Sequence, residues 1–140
     1  MGKLPRILLV DDEPDMGWAL EKILRPAGYA VTTTMSGKEA LELVAEEAYA
    51  VAFVDAKLPD LDGLELAALI RQQCPHTAVV LISGYFYQED GDISEGLQQG
   101  LFFGFVAKPF LLGEVRLMAR QAIERAREED HRDGPHSAGG

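Results

Sequence analysis

The sequence predicts an α/β fold in which a parallel sheet carries helices on both faces. Two observations carry that prediction. Five short runs are apolar or β-branched, and patterns with helical spacing lie between them. A length of 140 residues suits one domain of this class, and a composition 47% hydrophobic and 26% charged is that of a chain able to fold.

Each run ends at a polar residue or a turn signal. Arg6-Ile7-Leu8-Leu9-Val10 stops at Asp11-Asp12, and Val31-Thr32-Thr33-Thr34 lies between Gly28 and Gly37. Ala50-Val51-Ala52-Phe53-Val54 runs into Asp55, and Ala78-Val79-Val80-Leu81-Ile82 into Ser83. Gly104-Phe105-Val106-Ala107 runs into Lys108-Pro109. Runs this short and continuous predict strands buried on both faces.

The helices follow from their stripes and caps. Asp12-Glu13-Pro14 is an acidic start with proline in the first turn, and Met16, Leu20, Ile23 and Leu24 form the apolar face before Pro26 and Gly28. Ser36-Gly37-Lys38-Glu39 has the form of a capping box, in which hydroxyl and carboxylate satisfy opposing backbone donors. Ala40, Leu41, Val44 and Ala48 make the stripe behind it. Leu66, Leu69 and Ile70 serve a third helix closed by Pro75, and Val115, Met118, Ala119, Ala122 and Ile123 serve the last. Between Ser83 and Lys108, five glycines and an acidic stretch predict an irregular fourth helix over residues 93–99, behind a mobile loop. The folded domain is expected over residues 1–124. A charged, then Gly/Pro/Ser-rich tail over 125–140 is expected to be disordered.

Composition narrows the function. Thirteen basic residues against 23 acidic ones leave a net charge of −10, which argues against binding nucleic acid through this domain and is compatible with cations, divalent metals included. Cys74 is the single cysteine, so no internal disulfide or cysteine-based zinc site can form. No apolar run approaches the ~18 residues of a membrane span, and no signal peptide opens the chain. The expectation is a soluble cytoplasmic domain without membrane contact.

In an open α/β sheet, ligands bind beyond the carboxyl ends of the strands. Asp11, Asp12, Asp55, Ser83 and Lys108 are the residues the pattern puts there. Three converging carboxylates repel one another unless a cation neutralises them, and a hard divalent ion such as Mg²⁺ takes such oxygen ligands. With a hydroxyl and a lysine beside them, these are parts for moving a phosphoryl group onto a carboxylate.

These residues identify a resemblance. Asp11-Asp12, Asp55 with Pro59 and Gly63, Ser83-Gly84 and Lys108-Pro109-Phe110 stand in the order of the receiver domain of two-component response regulators, over about residues 4–124. The resemblance implies a doubly wound, flavodoxin-like, five-stranded sheet in order 2-1-3-4-5. It implies that Asp55 accepts phosphate from the phosphohistidine of a sensor histidine kinase or phosphotransfer protein. Asp12 would bind Mg²⁺ (or Mn²⁺) directly, Asp11 chiefly through water, and Asp55 and the main-chain carbonyl of Lys57 would complete the set. Ser83 and Lys108 would contact the phosphoryl oxygens, Lys108-Pro109 would be a cis bond, and Phe105 would hold the aromatic switch position. Such a domain modifies itself rather than turning over a substrate. It signals to a downstream protein, and a weak or phosphorylation-dependent homodimer is a further expectation.

Two long side chains depart from the family pattern. Lys57 and Tyr85 flank the path of the attacking water in the family, and their length predicts a slowly hydrolysing phosphoaspartate. Trp18 lies opposite the apolar stripe of its helix, where an aromatic can anchor a kinase. An aspartate-nucleophile phosphatase would want a second Asp where Lys57 stands, and no P-loop motif occurs. The alternatives that stay open are a phosphorylation-independent protein-binding receiver and the isolated receiver of a DNA-binding transcription regulator.

Overall fold

The computed structural model describes residues 4–84, 102–108 and 110–131, with side chains through 126. Its elements run β1 (Arg6–Val10), α1 (Pro14–Leu24), β2 (Ala30–Thr34), α2 (Gly37–Glu46), β3 (Val51–Asp55), α3 (Gly63–Gln73), β4 (Ala78–Ser83), β5 (Gly104–Ala107) and α4 (Leu112–His131). The strands form one parallel sheet in the order β2-β1-β3-β4-β5. The irregular helix expected over 93–99, Tyr85, Pro109 with its peptide bond, and residues 132–140 lie outside the described residues.

The pleat of the strands distributes one sequence to two cores. Ile7, Leu9, Val51, Phe53, Val80 and Ile82 pack with α1 and α4, through Leu20, Ile23, Val115 and Ala119. Their neighbours Leu8, Val10, Ala52, Val54, Val79 and Leu81 pack on the other face with α2 and α3, through Ala40, Val44, Leu66 and Ile70. The doubly wound architecture follows directly from strands that are apolar on both sides.

Four local expectations change. β2 and β5 are edge strands and only partly buried, with Thr33 exposed, so burial on both faces holds for the three inner strands alone. The ladder carries β3 to Asp55 and β4 to Ser83, because Asp55 pairs with Ile82 and Ser83 with Ala107. The capping box forms by half. Ser36 Oγ accepts from the Glu39 amide at 3.1 Å, but the Glu39 carboxylate accepts from the Thr34 hydroxyl. Ala48 is exposed beyond the end of α2, and Tyr49 takes the buried place.

Candidate functional site

The site grows out of the strand order. From β1 the chain goes outward to β2 and then returns to β3 on the other side, which opens a crevice at the carboxyl ends of β1 and β3. Asp11 follows β1 and Asp55 ends β3, so the two carboxylates face one another across that crevice. Backbone bonds continue the ladder past the strands and hold both ends in place. The Asp11 amide donates to the Thr34 carbonyl at 3.1 Å, and the Ala56 amide to the Ile82 carbonyl at 2.8 Å.

Lys108 enters from the far side of β4, its amide bonded to the Ser83 carbonyl at 2.7 Å. Its Nζ reaches Asp55 Oδ2 at 3.2 Å, Asp11 Oδ2 at 3.5 Å and Glu13 Oε1 at 3.2 Å. The second oxygens of both aspartates are occupied locally. Asp11 Oδ1 accepts from the Glu13 amide at 2.9 Å, and Asp55 Oδ1 from the Lys57 amide at 3.0 Å. Asp11 and Asp55 are buried, at 3% and 6% exposure, while Asp12, Glu13 and Lys57 are exposed at the rim. A cavity of about 490 Å³ opens over them, lined by Asp12, Asp55, Lys57, Pro59, Gly84 and Lys108 among others.

Electrostatics follows from this placement. Burial, with the Asp55 charge beside it, pushes the Asp11 carboxyl up to about 6, against the Glu13 amide and Lys108, which pull it down. Burial by itself would lower the Lys108 ammonium, but the carboxylates of Asp11 and Asp55 outweigh it and hold the group above its ordinary value. Asp11 Oδ2 is buried with no hydrogen-bond partner among the described residues. Oxygens of Asp11, Asp12, Glu13 and Asp55 lie within 4.8 Å of one another. A buried carboxylate oxygen that meets Lys108 as an ion pair but accepts no hydrogen bond, within such a set, fits a hard divalent cation.

The sequence-predicted residues thus divide. Asp11, Asp12, Asp55 and Lys108 converge, and the Lys57 main chain is tied to Asp55. Ser83 is fully buried beside them, its hydroxyl donating to the Gly84 carbonyl at 3.1 Å. Phe105 is half-buried against the α2–α3 core. Glu13, read from the sequence only as part of a helix start, joins the ion-pair cluster through Lys108. The acidic triplet Asp11-Asp12-Glu13 was the signal that could have included it. Gly63 has a structural reason as well: a Cβ there would stand 2.3 Å from the Asp55 carbonyl oxygen. Only glycine lets α3 begin so close beneath Asp55.

The model for the response regulator receiver domain matches residues 7–120. The chain belongs to that family. Receivers are the phosphoacceptor units of two-component signalling, and that role comes to this chain with its family. Its sequence is 31% identical over 123 residues to the DNA-binding transcriptional regulator NtrC of Escherichia coli (strain K12), covering 88% of this chain and 26% of that protein. It is 33% identical over 132 residues to the response regulator protein PilR of Pseudomonas aeruginosa, covering 93% and 28%. The signal receiver domain of an HD domain-containing protein from Pseudomonas fluorescens Pf-5 superposes with a TM-score of 0.86 at 31% identity, covering 94% of this chain and 96% of that one. The receiver domain of NtrX from Brucella abortus gives 0.78 at 33% identity, over 84% and 98%. The chain spans about a quarter of the length of the curated relatives NtrC and PilR.

Proposed function

We propose that this receiver takes its phosphoryl group on Asp55, from the phosphohistidine of a sensor kinase or phosphotransfer protein. The observation that carries the proposal is the ammonium of Lys108 held between Asp55 and Asp11, whose Oδ2 is buried without a hydrogen-bond partner among the described residues. Asp11, Asp12, Asp55 and the main-chain carbonyl of Lys57 would hold Mg²⁺ (or Mn²⁺). When bound, that cation supplies charge neutralisation for the entering phosphoryl oxygens.

The chain's own groups do the rest. An Asp55 oxygen forms the new P–O bond while the P–N bond of the donor breaks, and the imidazole leaves with the electron pair and takes its proton from solvent. Lys108 stays protonated, because its carboxylate neighbours hold its pKa up, and passes from the carboxylates to the phosphoryl oxygens. Ser83 turns its hydroxyl from the Gly84 carbonyl to the phosphoryl group, and Phe105 follows it inward. The folded unit is assigned to residues 1–124 and the tail to 125–140, whose first residues continue α4 as far as His131.

Incubation with acetyl phosphate and Mg²⁺, read by intact-mass spectrometry, tests this reading. One phosphoryl adduct is expected, absent in Asp55→Asn and without the cation. An adduct that survives in Asp55→Asn overturns the assignment. No adduct, together with no Mg²⁺ binding, turns the domain into a phosphorylation-independent binding module. A second reading concerns the output. NtrC is named a DNA-binding transcriptional regulator, and the likeness to it supports reading this domain as the receiver of such a regulator.

A further inference from the structure

The loop from Asp55 to α3 is fastened at two places. At its base, Lys57 forms an antiparallel bridge with Asp62, and the Gly63 amide donates to the Ala56 carbonyl at 2.9 Å. At its tip, Asp60 reaches a different helix. Asp60 Oδ1 accepts from the Gly37 amide at 3.0 Å and Oδ2 from the Lys38 amide at 2.9 Å, the first two amides of α2. These bonds, from the Gly37 amide first, hold the Asp60 carboxyl below its ordinary range. Leu61 lies against the same turn, so that a Cβ on Gly37 would stand 2.9 Å from Leu61 Cδ1. The start of α2 already has its own cap in Ser36, so Asp60 is a second and tertiary anchor, 23 residues away in sequence.

We propose that Asp60 is a positioning residue, which fixes the Lys57 backbone for the acidic site by clamping the tip of the loop to α2. The proposal rests on the cation site proposed above. Lys57 would offer that site its carbonyl, and its amide holds Asp55 Oδ1. With the base closed by Asp62 and the tip closed by Asp60, Lys57 has little freedom left. Releasing the tip lets the loop pivot on its base, and the Lys57 carbonyl and the Asp55 carboxylate lose their common orientation. By linkage the coupling is reciprocal, so a cation bound at Asp55 tightens the first turn of α2, a helix that supplies no ligand.

Calorimetric Mg²⁺ titration and amide hydrogen exchange of wild type, Asp60→Ala and Ser36→Ala test this. Ser36→Ala weakens the same helix start but leaves the clamp. Asp60→Ala is expected to bind Mg²⁺ about tenfold more weakly, at the low end for an outer-shell partner. Its Lys57 amide exchanges several-fold faster than in wild type. Ser36→Ala keeps wild-type affinity and wild-type protection at Lys57. Wild-type affinity and Lys57 protection in Asp60→Ala overturn the role of Asp60, as does an equal loss in both variants. A wild-type protein that takes no Mg²⁺ overturns instead the function proposed above.

Discussion

Asp11 is charged at a cost to the fold. Its carboxyl is raised to about 6 from an ordinary 3.8, so the folded chain holds this proton more tightly than the unfolded one. Stability from this group is therefore present below 3.8, falls as the pH rises toward 6, and stays lower at neutral pH. Asp11→Asn removes that cost. In EDTA at neutral pH we expect its melting temperature to exceed that of wild type by about 3–8 °C, read by circular dichroism. Added Mg²⁺ should raise the wild type and leave the variant nearly unmoved. Lys57, exposed on the rim of the cavity, is expected to obstruct the water that hydrolyses the phosphoaspartate. Lys57→Asn should shorten the lifetime of the adduct about threefold or more, roughly 0.7 kcal/mol of barrier, in a time course of intact mass. The strand-end pattern picked out Asp11, Asp55 and Lys108, because a parallel sheet gathers its carboxyl ends. Asp60 could not be found that way. Its partners are two amides of a helix remote in sequence, and an isolated Asp in a loop carries no period.

The loop into α3 is the element on which the site depends most. A Cβ on Gly63 would stand 2.3 Å from the Asp55 carbonyl oxygen and 2.6 Å from Ala56 Cα, both backbone atoms that cannot yield alone. Gly63→Ala should lower stability by about 2–3 kcal/mol in urea titration. It should also slow phosphorylation, since relief requires the end of β3 to move. Asp62 caps the same helix through the Leu64 amide at 2.9 Å, a local bond at short spacing. Bonds of that kind are legible in sequence, and so were α1 with its proline start and the apolar stripes of α3 and α4. The partner of Glu39 was not legible. Thr34 competes with the Ser36 amide for its carboxylate only because β2 delivers that hydroxyl to the start of α2. Phe102 was missed for a related reason. It is buried in the α2–α3 core just before β5, but it follows a glycine-rich stretch without helical or strand period.

At the scale of the molecule, β3 feeds both cores. Phe53 is fully buried in one and its neighbours Ala52 and Val54 in the other. Phe53→Ala should cost about 3–5 kcal/mol, with urea transitions of the two faces remaining coincident. Separate transitions would mean that the faces unfold independently. The order of the strands was legible only through family resemblance, since alternation of strand and helix fixes parallel pairing but not which strand turns outward. Net charge was legible at once, and so was the gathering of Asp11, Asp12 and Asp55 at the switch point; that Glu13 joins them was not. Trp18, the single tryptophan, stands 64% exposed on α1, with the Lys22 ammonium 5.3 Å from the centre of its ring. The protein therefore carries its own optical reporter on the helix that begins beside its acidic site. Its emission will be that of a hydrated indole, open to a neutral quencher, and any binding event that covers this face will dim the quenching without a label being added.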